Sequence, residues 1–321
     1  MTSSGRDFGA SVAGGSALPT VGESHDTQLV YESGLEVEVR SQWTYARRRF
    51  FRHRLAVISL IILILVLGAG LFAPWVAPYS FEGYDVNSIQ QGPSWHHPFG
   101  TDLLGRDYLS RVIYGIRTSE RVAFIVAGLA TLIGTLVGMV AGYFGGWVDN
   151  LLMRLTDLIL TLPGLAVLLT AAAFLGHGSM YRVALILALL LWTALARLVR
   201  GQFLSLREKE YVDAAKAAGA GDLRIMFRHM LPNSMGPIIV SGTLTLGLAI
   251  ILEAALSFLG FGVLPPTPAL GKLIADGQDV SQHAWWLVTF PGLTIVLIVL
   301  CVNFIGDGLR DALDPTQRVR A

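Results

Sequence analysis

The chain has 321 residues, of which 53% are hydrophobic and 15% charged, and its net charge is +1. With a mean hydropathy of +0.57, this composition excludes an ordinary soluble domain, and the near-neutral charge argues against nucleic acid as a partner. The single cysteine, Cys301, excludes an intrachain disulfide and is expected to be a small packing residue.

In chain order, residues 1–40 are rich in Ser, Gly, Thr and acidic groups and predict a disordered tail. Residues 41–77 join an aromatic, arginine-rich lead-in (43–51) to a first apolar run at 55–73. About fifty residues precede that run, so it reads as a retained helix rather than a cleaved signal. Residues 78–120 predict an external loop. Within it, Leu109, Val112, Ile113 and Ile116 recur at helical spacing with Arg111 and Arg117 opposite, the pattern of an interfacial helix. His96 and His97 lie in a turn-rich stretch with no cysteine nearby and read as hydrogen-bonded loop residues rather than metal ligands.

Residues 121–310 hold five further apolar runs, at 122–144, 158–175, 183–199, 238–259 and 286–305. Each is close to the roughly 20 helical residues that cross a hydrocarbon core. The predicted fold class is therefore all-α, a polytopic membrane protein with six transmembrane helices. The glycine-rich second and third spans suit close helix packing, and Pro163 and Pro291 are expected to kink their helices. Asp149, Arg154 and Asp157 form a charge cluster in which Arg154 and Asp157 have the spacing of a helical ion pair. Glu253 is the one acidic residue inside an apolar run, roughly 24 Å along the helix from Pro237. Asn303, Asp307 and Asp311 repeat at four-residue intervals and are expected to turn one face towards the polar insert at 201–235.

That insert is the most informative segment. Residues 213–218 are alanine-rich, a good helix with small side chains all round. Gly219 can end it at positive φ. Asp222 is the expected N-cap of a second amphipathic helix, with Ile225, Met226 and Met230 apolar and Arg224 and Arg228 polar. Pro232 is expected to stop that helix. Arg207, Lys209, Lys216, Arg224 and Arg228 of the insert share a side with Arg47, Arg48, Arg49, Arg52 and Arg54 and with Arg310, Arg318 and Arg320 of the tail at 311–321 if six spans intervene. The excess of basic residues makes that side, with both termini, cytoplasmic. The exception is the external loop, with Arg106, Arg111, Arg117 and Arg121.

The run Glu210-Tyr211-Val212-Asp213-Ala214-Ala215-Lys216-Ala217-Ala218-Gly219, with Leu231-Pro232 twelve residues on, resembles the cytoplasmic coupling loop of binding-protein-dependent ABC importer permeases. Here Asp213 stands for that family's usual Glu and His229 for its common Ile. The block His97-Pro98-Phe99-Gly100-Thr101-Asp102 with Gly105-Arg106-Asp107 is similar to the second permease of dipeptide and oligopeptide systems, as are Glu253 to Gly260 and Asn303 to Asp311. The resemblance covers about 45–316 and implies the type I importer permease fold, with 121–310 as a five-helix core. It implies that Tyr211, Val212, Asp213, Ala214, Ala215, Lys216, Ala218, Gly219, Leu231 and Pro232 couple to an ATPase, and makes Glu253 a candidate for the translocation path or gate. The implied partners are a homologous second permease forming a heterodimer, one or two ATP-binding cassette subunits, an extracytoplasmic substrate-binding protein, a peptide substrate and the bilayer of a bacterial inner membrane. No catalytic residue, metal ligand or cofactor is expected in this chain; ATP and Mg would be bound by the partner subunits. Nickel complexes, glutathione or another small solute are alternative cargoes. An ion-gradient transporter would need more intramembrane ionisable groups than Glu253 supplies, and a membrane anchor has no use for a docking module.

Overall fold

A computed structural model of the protein describes residues 42–176 and 178–313. The tail expected at 1–40, and Arg318 and Arg320, lie outside the described residues. Among the described residues the elements are helical: α1 (Gln42–Arg52), α2 (Arg54–Leu71), α3 (Ala73–Val76), α4 (Tyr108–Phe144), α5 (Gly146–Thr161), α6 (Gly164–Leu175), α7 (Met180–Arg207), α8 (Glu210–Ala217), α9 (Asp222–Phe258), α10 (Leu270–Gln278) and α11 (Trp286–Leu313). Five of them, α2, α4, α7, α9 and α11, are long and apolar enough to cross a membrane.

The helix α4 begins at Asp107, whose carboxylate accepts the Ser110 amide at 2.8 Å. It runs for 37 residues, so the expected interfacial helix and second span are one element. From Ile116 to Ala127 there is neither Gly nor Pro to interrupt it. Its partner is α7. Gly134, Gly138 and Gly142 lie one turn apart on the contact face, and a Cβ on Gly138 would sit 2.4 Å from the Ala196 carbonyl oxygen. The two backbones thus approach more closely than any side chain would permit. A larger apolar cluster gathers α4, α6, α7, α9, α10 and α11 around Val122, Leu187, Ile250, Leu270 and Ile298.

The third expected span, 158–175, is not a straight helix. Pro163, which has no amide hydrogen to continue the ladder, separates α5 from α6, and the two are bent by 91°. Pro237 and Pro291 lie inside α9 and α11, which continue through them.

The chain's own contacts show what the bent pair does. Tyr143 at the end of α4 donates to Asp222 at the start of α9 (2.7 Å), and Arg207 at the end of α7 donates to the Tyr143 carbonyl (3.2 Å). Gly236 of α9 faces Leu313 at the end of α11, and Gly308 of α11 lies against Ala56 near the start of α2. All these ends share one side. On the other side, the Gly178 amide after α6 donates to the Gly262 carbonyl after α9 (3.0 Å). There too Trp286, opening α11, donates its indole hydrogen to Thr101, ahead of α4. Because α5 starts on the first side and α6 ends on the second, the pair crosses once. Among the described residues the bundle thus has six crossings, and the arginine cluster, the polar insert and Arg310 fall on the same side.

The opposite side is closed by the loop at 77–107. Asp102 accepts from Arg106 (2.7 Å), from Arg111 and from the Leu104 and Arg106 amides. Two of the four arginines that ran against the charge asymmetry are thereby neutralised, and Arg111, expected to face solvent, is buried. The Asp102 carboxyl is buried, which raises its pKa, but the backbone hydrogen bonds and both guanidiniums outweigh this and hold it below the ordinary 3.8. His97 Nδ1 lies 2.9 Å from Asp107 Oδ1, anchoring the loop to the α4 cap.

Candidate functional site

The polar insert folds as a module docked on the ends of α4 and α7. Val212 is fully buried and packs with Met139, Tyr143, Phe203, Ile225, Met226 and Met230. Ala215 and Leu231 pack partly against the same cluster. Burying a side chain of this size stabilises by about 1.5–3 kcal/mol, so Val212 pins α8 to the bundle. The helix then ends in a Schellman turn. The Gly219 amide donates to Lys216 O (2.9 Å) and the Ala220 amide to Ala215 O (3.0 Å), with Gly219 at φ +79°. A Cβ on Gly219 would meet no atom within 4 Å. The constraint there is conformational, not steric.

The remaining expected coupling residues, Tyr211, Asp213, Ala214, Lys216, Ala218, Gly219 and Pro232, are exposed. Asp213 and Lys216 form an exposed pair at 3.2 Å, worth little to stability in itself. The structure thus divides the motif into one buried anchor and a solvent-facing surface of small and charged groups.

Two features of the insert differ from expectation, and a third was not anticipated. Gly221, not Asp222, is the N-cap of α9, and Asp222 instead accepts the Tyr143 hydroxyl, tying the module to α4. Pro232 does not stop the second helix. The residues Ile225–Met230 are π-helical, and the chain passes directly into α-helix at Leu231 with the proline in its first turn. Because the chain is already helical ahead of it, the proline leaves one bond of the ladder unmade without ending the helix. The third is that Leu223 and Phe227, one turn apart, are 70% and 47% exposed beside α8. At α-helical spacing Leu223, Met226, Phe227 and Met230 would share one face, so no sequence signal marked Leu223 and Phe227 as a separate exposed pair.

Elsewhere, Asp157 pairs with Arg197 (2.5 Å) rather than with Arg154, and Asp149 with Arg200 (2.6 Å). Both bonds join α5 to α7, and Arg154 stays exposed. Asn303, Asp307 and Asp311 are also exposed and do not pack on the insert. The close contacts of α11 are made on either flank of that face, by Gly306 against Leu244 of α9 and by Gly308 against Ala56 of α2. Cys301 is buried, as expected.

Glu253 is completely buried, far from the insert along α9. Ser119 of α4 donates to its Oε2 at 2.6 Å, and Ser257, one turn along α9, donates to Oε1 at 2.7 Å. Both carboxyl oxygens are satisfied, so the group links two spans. To meet a substrate it would first have to leave both serines.

The described residues thus form a bundle of six crossings with a helical module projecting from one side. Residues 134–319 match the family profile described as "Binding-protein-dependent transport system inner membrane component", and residues 41–93 match "N-terminal TM domain of oligopeptide transport permease C". The chain is 42% identical over 278 residues to the dipeptide transport system permease protein DppC of Alkalihalophilus pseudofirmus, covering 87% of this chain and 91% of that one. It is 41% identical over 279 residues to the glutathione transport system permease protein GsiD of Escherichia coli and of Shigella sonnei, covering 87% and 92%. The chain belongs to the family of binding-protein-dependent transport system inner membrane components.

Proposed function

We propose that this chain is one of two homologous permeases in an ATP-driven importer of short peptides. The observation that carries the reading is the insert, anchored through Val212 yet presenting Tyr211, Ala214, Ala218 and Gly219 outward together with Leu223 and Phe227. Small residues admit a partner close to the backbone, and the exposed apolar pair supplies area for docking. In this reading the surface is held by a separate ATP-binding subunit, with which ATP and Mg reside, and a binding protein delivers cargo on the opposite side. The arginine-rich side faces the cytoplasm, which places the insert and both termini there. Nucleotide-driven closure displaces α8 and α9 together and switches the cavity between the permeases. For this, the ATPase must hold the module with different strength in the two states. Glu253 acts as an interhelical tie near the path rather than as a cargo contact.

The cargo reading rests on the two kinds of relative, one named for a dipeptide and the other for glutathione, itself a tripeptide. A labelled dipeptide taken up by cells expressing the full system, with glutathione as competitor, distinguishes them. In the same assay Ala214→Trp and Ala214→Glu are expected to abolish uptake and co-purification of the ATPase while membrane levels stay unchanged. Undiminished uptake in both variants would exclude the docking role.

A further inference from the structure

The segment that leads into α2 carries a second, separate surface. Arg47, Arg48, Arg52 and Arg54 are all exposed, and none forms an ion pair among the described residues. No acidic residue occurs between Gln42 and Arg54 to neutralise them. The helix that bears three of them is nevertheless held in place. Phe50 lies against Gly308 near the end of α11, where an added Cβ would stand 3.3 Å from its ring. The joint to α2 is fixed by His53, whose Nδ1 accepts the Ala56 amide at 3.1 Å.

The apolar residues around the arginines point to their surroundings. Phe51, Leu55, Ile58 and Leu65 are each more than half exposed. They continue from α1 into α2, a helix of which only 17% of the most apolar window is buried. Such a stripe lies in acyl chains. The four guanidiniums then fall where it meets water, at the depth of lipid phosphates, and each can bind a phosphate oxygen pair side-on.

We infer that α1 and the start of α2 form a binding site for anionic phospholipid headgroups, phosphatidylglycerol or another lipid of net negative charge. Fixed basic residues directly beside a span, on its Arg-rich side, have the charge and position for this. The site is distinct from the insert and independent of the cargo.

The test uses the full chain in nanodiscs of equal parts phosphatidylglycerol and phosphatidylcholine, released and weighed by native mass spectrometry. Retained phosphatidylglycerol is expected to exceed phosphatidylcholine by about fivefold or more. The variant Arg48→Gln/Arg52→Gln/Arg54→Gln should bring the ratio close to one. Arg48→Lys/Arg52→Lys/Arg54→Lys keeps the charge and the orientation signal, and should keep most of the preference. Arg224→Gln/Arg228→Gln, in the insert, should leave it unchanged. Equal retention of both lipids by the unmodified chain, or an undiminished preference in the glutamine variant, would overturn the inference. So would displacement of the lipid by inorganic phosphate but not by chloride at equal ionic strength, since the site would then belong to free phosphate.

Discussion

A carboxyl group fully enclosed among apolar spans is costly unless its oxygens are bonded, and at Glu253 two serine hydroxyls meet that need. A hydroxyl can accept as well as donate, so an amide in place of the acid keeps both partners. Glu253→Gln is therefore expected to leave thermal unfolding of the purified chain and peptide uptake close to normal. Glu253→Leu strands Ser119 and Ser257 and should cost about 1–3 kcal/mol for each unpaired group. A glutamine variant that folds and assembles fully yet transports nothing would place the acid's charge in the path instead. The sequence singled out this residue because it interrupts an apolar run. Its partner Ser119 lies 134 positions away, and no local pattern reports such a pairing.

At the scale of elements, the α4–α7 contact has the least room for change. Gly138→Ala places a methyl group 2.4 Å from the Ala196 oxygen, and overpacking of this kind costs about 1–3 kcal/mol. Gly128 lies on the same helix with nothing within 4 Å of an added Cβ. There the same change should be neutral or stabilise by up to about 1 kcal/mol, through helix propensity. Unfolding of the two variants side by side in detergent checks the contrast, and equal effects would mean that the close contact carries no stability. Most elements were legible from apolar runs, since hydropathy alone demands that such segments leave water. The turn at Gly219 was legible because few residues other than glycine hold positive φ. The bend at Pro163 was legible as a kink but not as a right angle, because the angle depends on what α5 and α6 pack against. In the same way the structure pairs Asp157 with Arg197, a partner that local spacing did not single out. Helical spacing permits a bond, but tertiary contacts decide between candidates.

Across the whole molecule, the two sides are fastened differently. The insert side is held mainly by apolar packing around Val212, the other by the charged knot at Asp102. The folded state holds the Asp102 pKa below its unfolded value of 3.8. Its contribution to stability is present above that pH and lost as pH falls through the lower folded value. The loop at 77–107 is thus expected to keep its protection from proteolysis at pH 5 and to lose it only in stronger acid, below about pH 4. Asp102→Asn should show weakened protection already at neutral pH, because Arg106 and buried Arg111 lose their counter-charge. Equal resistance of variant and parent at neutral pH would show that the knot does not hold the loop.

The helix α9 begins in the exposed module and runs without a break to beyond Glu253, a distance of about 45 Å at about 1.5 Å per residue. A single continuous helix therefore joins the module to the far half, and a displacement at Leu223 reaches it along the backbone, through the turns at Ile225–Met230. Its compliant points, the widened turns of Ile225–Met230 and the bond missing at Pro237, lie together near the handle. Flexing there would let the handle swivel while the remainder of the shaft swings as one piece.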